Sequence, residues 1–350
     1  MARLAIESAR VTLVDAAGRC LIELHGRDGS SGVGETGPAS GGFERARRVC
    51  EAFIGVDALK TGEIVERLRH TAMPGVAGGF ENAVWDLVGH HLRSPLYVLL
   101  GAGRPAPALA PGVARIGESI EATVENAKVL EREHRHEALT AVASGKSPDH
   151  DAGAMRALRE AFGGAMRLRL ECLGAYDASG AAALLRQVDD LDLEYVADPV
   201  AERADLERVR RGARTPLATG RLALEDLAPI VRADAAEVII GNSVEWGGIA
   251  AFRKSAAVCR AFSMDIAIAA WDGHGLALAT SLHLVPTLAA SKGLHALAFD
   301  AAQSLLAGGP FVRNGHIIAP DGPGFGASID RERLRQRKRD EAVVSSPGAR

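Results

Sequence analysis

Between residues 4 and 36, apolar and polar side chains alternate, as on strands with one buried face. The stretch IESARVTLVDAAGRCLIELHGRDGSSGVGE predicts three hairpin-connected strands, with turns at Asp15–Gly18 and at Asp28–Gly29. The period then lengthens to that of helices. It does so over Gly42 to Phe53, over Glu63 to His70, and from Ala77 to Leu87 and beyond. Residues 1–106 therefore read as an α+β unit.

From residue 108 the pattern changes to short apolar runs, each followed by a helical stretch. The runs are ALAPGVA (108–114), ALTAVAS (138–144), MRLRLEC (166–172), LEYVADP (193–199), TPLATG (215–220), AEVIIG (236–241), DIAIAA (265–270) and HALAFDA (295–301). SIEATVENAKVLEREH, EDLAPIVRA and GGIAAFRKSAAVCRAF are among the helices between them. A spacing of roughly 20 to 30 residues suits βα units, and eight of them favour a closed parallel barrel. An open doubly wound sheet is the runner-up, but no strand leads into a GxGxxG turn. The basic run DRERLRQRKRDE in the tail reads as a solvated helix or a frayed end, and the final SSPGAR as disordered.

Composition narrows the function classes. At 350 residues and 47% hydrophobic, the chain can bury a full core without staples. A net charge of −3, with both signs dispersed, argues against nucleic-acid and membrane-surface partners. Cys20, Cys50, Cys172 and Cys259 have no metal-binding spacing and are expected as buried apolar groups in a reducing compartment. The N-terminus shows no signal-peptide core and no run approaches the ~18 apolar residues of a membrane span, so the expectation is a cytoplasmic protein.

In parallel barrels the chemistry gathers at the C-terminal ends of the strands. The ionisable residues there are few: Glu171, Asp198, Arg221 and Asp272, with His274 just beyond. Lys146 falls past the end of the second strand, and His134 and His136 read as cations at a helix C-terminus.

Seven segments, in order, resemble the enolase superfamily in its mandelate racemase, muconate-lactonizing and acid-sugar dehydratase branch. DGSSGVGET is similar to the hairpin that ends in G-x-GE, and GGFENAVWDLVGHHLRSPLYVLLGAGR to the helix motif with WDL-x-G and LLG-x-x-R. EYVADPV resembles the E-[DEQ]-P strand, and TPLATG the P-[IL]-A-T-N of the glucarate dehydratase group. GGIAAFRKSAAVCRAF, SLHL and APDGPGFGASID are similar to the GGI helix, the helix after strand seven and the closing PGLG segment. The resemblance implies an α/β modified TIM barrel, (β/α)7β, over residues 107–321. It also implies an N-terminal α+β capping domain with the tail 322–350 packed back on it.

It further implies abstraction of a proton next to a carboxylate. The enolate would be stabilised by Mg2+ held on carboxylates at the ends of strands three, four and five. Bases would come from a K-x-K on strand two and a His–Asp pair from strands seven and six. Carried onto this chain, the K-x-K positions are Ala141 and Ala143, and the metal positions are Glu171, Ala197, and Gly220 or Arg221. Leu173 stands where an Asn is common, Asn242 takes the acid of the His–Asp pair, and the His falls at Ala269 or Ala270. The usual mobile lid is reduced to Asp15-Ala16-Ala17-Gly18.

The expectation is therefore a member without cofactor or resident metal. It would be a pseudoenzyme that binds a small carboxylate or sugar acid, forms a homo-oligomer, or partners an active homologue. The alternatives are metal-independent chemistry on a hydroxy or sugar acid, and an intact dehydratase or racemase whose ligands lie at shifted positions. Across these readings, Glu171 is a base or an ion-pair partner and Arg221 neutralises Glu171 or binds a substrate carboxylate. Asp198 and Asn242 line the mouth or hold the strand ends, and Asp272 with His274 forms a displaced His–acid pair.

Overall fold

The computed structural model describes residues 3–220, 224–269, 273–288, 291–296, 304–307 and 312–345. The alternating N-terminal stretch forms β1 (Ile6–Leu13), β2 (Cys20–Gly26) and β3 (Ser31–Glu35), an antiparallel meander. The first turn is tight: the Val14 amide donates to the Arg19 carbonyl, and the Asp15 carboxylate accepts from the Arg19 amide and guanidinium. Gly18, at φ 84°, lies so close to the next segment that a Cβ there would meet the Ala39 carbonyl oxygen at 2.1 Å.

Helices α1 (Gly42–Phe53), α2 (Thr61–Thr71) and α3 (Pro74–Leu92) cover this sheet. Phe53 and Phe80 pack at 4.8 Å between α1 and α3. The long helix α3 starts on a proline at its first turn, where the missing amide costs nothing, and ends at Arg93 in the left-handed region. It lies directly on β3, because a Cβ at Gly34 would sit 2.1 Å from the Gly79 carbonyl oxygen. The short helix α4 (Leu96–Leu99) leads out of the unit.

The barrel follows. β4 (Ala108–Leu109) and β5 (Gly112–Arg115) split the first apolar run, because Ala110 and Pro111 interrupt it. Helix α5 (Ile120–His134) leads to β6 (Ala138–Val142), α6 (Pro148–Phe162) to β7 (Arg167–Glu171), and α7 (Ala178–Val188) to β8 (Tyr195–Ala197). Then α8 (Arg203–Arg210) leads to β9 (Leu217–Thr219), α9 (Leu227–Ala233) to β10 (Val238–Gly241), and α10 (Ile249–Ala261) to β11 (Asp265–Ala269). Helix α11 (Leu276–Leu284) precedes β12 (Ser291–Ala296). Among the described residues, β5 to β12 form one parallel sheet in chain order. The fold is thus a nearly closed (β/α)7β modified TIM barrel with an N-terminal α+β cap.

Two expectations are corrected. The last barrel strand was expected at 295–301 but lies at Ser291–Ala296, and residues 297–301 fall outside the described residues. In the tail, the basic run does form a largely solvated helix, but the chain goes on past it into a strand. After β13 (Leu306–Ala307), β14 (His316–Ile317) and β15 (Ser328–Ile329), helix α12 (Arg331–Arg337) leads into β16 (Asp340–Ser345). This strand pairs antiparallel with β1, from Ser8 with Ser345 to Leu13 with Asp340, and completes the cap sheet. SSPGAR therefore begins inside a strand, at Ser345, and residues 346–350 lie outside the described residues.

Among the described residues, three apolar cores result. One fills the space between barrel strands and their helices, one lies between the cap sheet and its helices, and a small one lines the barrel interior. The four cysteines are free and buried. Among the described residues, no helix is long and apolar enough to cross a membrane.

Candidate functional site

Alternation along the strands decides which side chains face the barrel axis. Tyr195, Ala197, Ala218, Val238, Ile240, Ala267 and Ala269 form the interior apolar cluster. Arg169, Glu171, Thr140 and His295 are fully buried polar members of the same space. Ala141 faces the other way, into the core beneath the helices, and Ala143 packs against that core. The positions assigned to the two lysines thus do not address the interior, since a shift of one residue exchanges the faces of a strand. From β6 it is Thr140 that reaches inward, its Oγ1 donating to the His295 carbonyl at 2.6 Å.

Glu171 is not a carboxylate open at the mouth. Its Oε1 accepts the Leu173 amide at 2.7 Å and its Oε2 lies 2.9 Å from His295 Nε2. The other imidazole nitrogen, Nδ1, is 2.8 Å from the Tyr195 hydroxyl. With Glu171 ionised, its Oε2 can only accept, which places the ring proton on Nε2 and leaves Nδ1 to accept from the phenol. Burial, followed by the neighbouring Arg169 charge, lowers the His295 pKa to about 3, so the ring is neutral. Burial likewise raises the Tyr195 phenol.

Arg169 closes the seam of the barrel. Its guanidinium donates to the Lys292, Leu294 and His295 carbonyls of β12 at 2.9, 2.5 and 3.1 Å and pairs with Glu194 at 2.6 Å. It also lies 5.0 Å from the Tyr195 ring centre. Sequence reasoning missed Arg169, Glu194, Tyr195 and His295. The signal was present in MRLRLEC, where charged residues recur every second position of a buried strand.

The remaining candidates separate. Ala197 lies in the interior core and offers no ligand. Asp198, at φ 44°, turns aside and accepts the Thr219 hydroxyl at 2.8 Å and the Gly220 amide at 3.1 Å, fastening β8 to β9. Asn242 caps its own turn, accepting the Val244 amide at 2.8 Å, and donates to the Ala269 carbonyl at 3.4 Å. Lys146 pairs with the exposed Glu118, away from the interior. His136 is no helix-end cation: it is buried, its Nδ1 2.7 Å from the Ala110 carbonyl, and burial lowers its pKa. Arg221, Asp272 and Ala270 lie outside the described residues.

His274 joins a second polar cluster, between cap and barrel. Its Nε2 is 3.3 Å from Asp15 Oδ2 and its Nδ1 3.1 Å from Arg337 Nη1, and its amide donates to Glu35 Oε1 at 2.6 Å. Burial raises the Glu35 pKa. Asp15 is also raised by burial, but its bonds with Arg19 and His274 outweigh this and hold it below the usual range.

Magnesium needs several oxygen ligands in near-octahedral array. Of the positions that would supply them, Glu171 is held by His295, and Ala197 and Gly220 carry no donor side chain. Among the described residues, no group of three His, Cys, Asp or Glu side chains is placed to hold a metal ion. These residues do not fit the metal.

Known proteins agree with this architecture. A family described as Enolase C-terminal domain-like matches residues 122–333. A probable glucarate dehydratase of Streptomyces coelicolor is 26% identical, over 90% of this chain and 83% of its own. A D-galactarolactone cycloisomerase of Agrobacterium fabrum is 26% identical over 92% of both. The crystal structure of an isomerase from Streptomyces coelicolor A3(2) superposes with a TM-score of 0.82 at 25% identity, covering 95% of this chain and 99% of that one.

Proposed function

The chain belongs to the Enolase C-terminal domain-like family, and we propose that it is a non-catalytic member of the group that contains acid-sugar dehydratases, racemases and cycloisomerases. The observation that carries this reading is the Glu171–His295 pair. Removing a proton next to a carboxylate requires a free base and concentrated positive charge for the enolate. The one carboxylate at the expected ligand positions is buried against a neutral imidazole, and that imidazole is held by Tyr195 on its other side. The role left to such a chain is to bind a small carboxylate or sugar acid, or to assemble with itself or an active homologue. The four buried, free thiols support a reducing compartment, and we assign the protein to the cytoplasm.

Calorimetric titration with magnesium, paired with NMR of deuterium uptake from heavy water by glucarate and a panel of related acid sugars, tests the reading. No stoichiometric metal binding and no exchange above background is the expected result. Exchange of any substrate would overturn it.

A second reading, a metal-independent acid–base enzyme, is favoured by His274, whose imidazole is bracketed by Asp15 and Arg337 beside Glu35. Under this reading exchange would occur without magnesium and would be lost in His274→Gln.

A further inference from the structure

Helix α2 and the start of α3, in the cap, face α9 and α10 of the barrel across a cavity of about 510 Å3. Small-molecule sites are commonly 300–1,000 Å3, mostly apolar, and placed at seams between structural units. The walls here are largely apolar, with Leu68, Pro74, Leu227, Trp246 and Val258 among them. Exposed large apolar residues gather at its rim. Leu224 and Val258 line it, while Met73, just before the lining Pro74, and Phe262, the residue that follows α10, lie next to it in the chain, Phe262 at 62% exposure. Exposed apolar surface concentrated in this way marks binding sites rather than ordinary surface.

The charge at the rim narrows the occupant. Lys254 lines the cavity; among the described residues its ammonium makes no direct ion pair or hydrogen bond and acts on Glu81 only through space. The nearby Glu81 carboxyl is engaged by the Ala250 amide and the Trp85 indole instead. Arg69 is paired with Glu66. Two carboxylates, Glu225 and Glu245, also line the cavity, and they disfavour a ligand with more than one negative charge.

We propose that this groove is a binding site for an amphipathic organic monocarboxylate, its apolar body against Trp246 and Val258 and its head on Lys254. The site goes beyond the reading of the barrel interior and is independent of it. None of these side chains belongs to the interior cluster, and the titration below involves no magnesium.

The test is fluorescence and calorimetric titration of the full chain with decanoate, decylammonium and decan-1-ol below their aggregation limits. Trp246 is 5% exposed and lines the groove, so it reports occupancy. Saturable one-to-one binding of decanoate is expected, at least about tenfold tighter than decylammonium. Lys254→Gln, at an exposed helix position, should weaken decanoate by about tenfold and leave decan-1-ol unchanged. Ala251→Trp should block all three. Equal affinity for decanoate and decylammonium, or unchanged decanoate affinity in Lys254→Gln, overturns the proposal. So does a wild-type dimer that binds no probe and that Phe262→Asp converts to monomer, because a second copy of the chain would then cover the groove.

Discussion

His295 Nε2 and Glu171 Oε2 lie 2.9 Å apart with both side chains fully buried, and they tie the last barrel strand to the third across the interior. His295→Leu keeps the volume but removes the imidazole that meets Glu171 Oε2 and leaves the Tyr195 hydroxyl without its ring-nitrogen partner. Buried groups left unsatisfied cost about 1–3 kcal/mol each. His295→Leu should therefore lower unfolding free energy by about 2–5 kcal/mol, read by urea denaturation. A loss within the error of the measurement would mean that water or another side chain already satisfies these groups.

How much of this is legible in sequence depends on what enforces each feature. The meander and the βα units declare themselves because burial dictates their periods. β16 does not, because Asp340 and Glu341 open an exposed edge strand held by backbone bonds to β1 rather than by an apolar face. β12 was displaced for a related reason: its first residues, Ser291-Lys292-Gly293, are not apolar, and the Lys292 carbonyl is held by Arg169. Family resemblance located Glu171 and Ala197 at strand ends. It could not reveal that His295, 124 residues later, meets Glu171, since that pairing exists only once the barrel closes. The slip at Ala141 came from reading a motif without the strand parity that Thr140 fixes.

Asp15 and Arg337 approach His274 from the cap hairpin and the tail helix, so the three segments should be energetically coupled. Asp15→Asn and Arg337→Met should each cost about 1 kcal/mol, as expected for partly exposed polar contacts. The double variant should deviate from additivity by about 0.5 kcal/mol or more, because both act through one imidazole. Thermal unfolding of the four proteins in the cycle measures this. Strict additivity would show that His274 does not transmit between them.

Arg169→Met should be among the most damaging single changes in the barrel. Methionine fills part of the space but leaves three β12 carbonyls without their guanidinium donor and Glu194 without its closest cation. Breaking a buried ion pair on one side costs about 3–5 kcal/mol. Lys292, 3.9 Å from Glu194, offsets part of this, so the lower end is expected. Hydrogen exchange should quicken in β12 and β7 before it quickens in the cap sheet. Uniform quickening in both units would assign Arg169 a global role rather than a seam-closing one.

Glu81 gives the clearest pH signature. Its Oε1 accepts the Ala250 amide at 2.9 Å and the Trp85 indole at 3.1 Å, while Oε2 is buried without a hydrogen-bond partner among the described residues. Burial raises its pKa from 4.5 to about 7, against the smaller lowering by those two donors and Lys254. A carboxyl raised on folding binds its proton more tightly in the native state. Its contribution is therefore fully present below pH 4.5 and is lost as pH rises through about 7. His295 and His283, lowered by burial to about 3 and about 4, act in the opposite sense over an overlapping range, destabilising the fold as pH falls below 6.5. The wild-type profile alone thus conceals each arm, and a difference measurement is needed. Glu81→Gln removes the titrating carboxyl while keeping an oxygen for the Ala250 amide. Relative to this variant, the wild type should lose about 3 kcal/mol of stability between pH 4.5 and 7, read as the difference of two urea-denaturation series. A difference that stays constant over that interval would show that Glu81 titrates alike in the folded and unfolded chains.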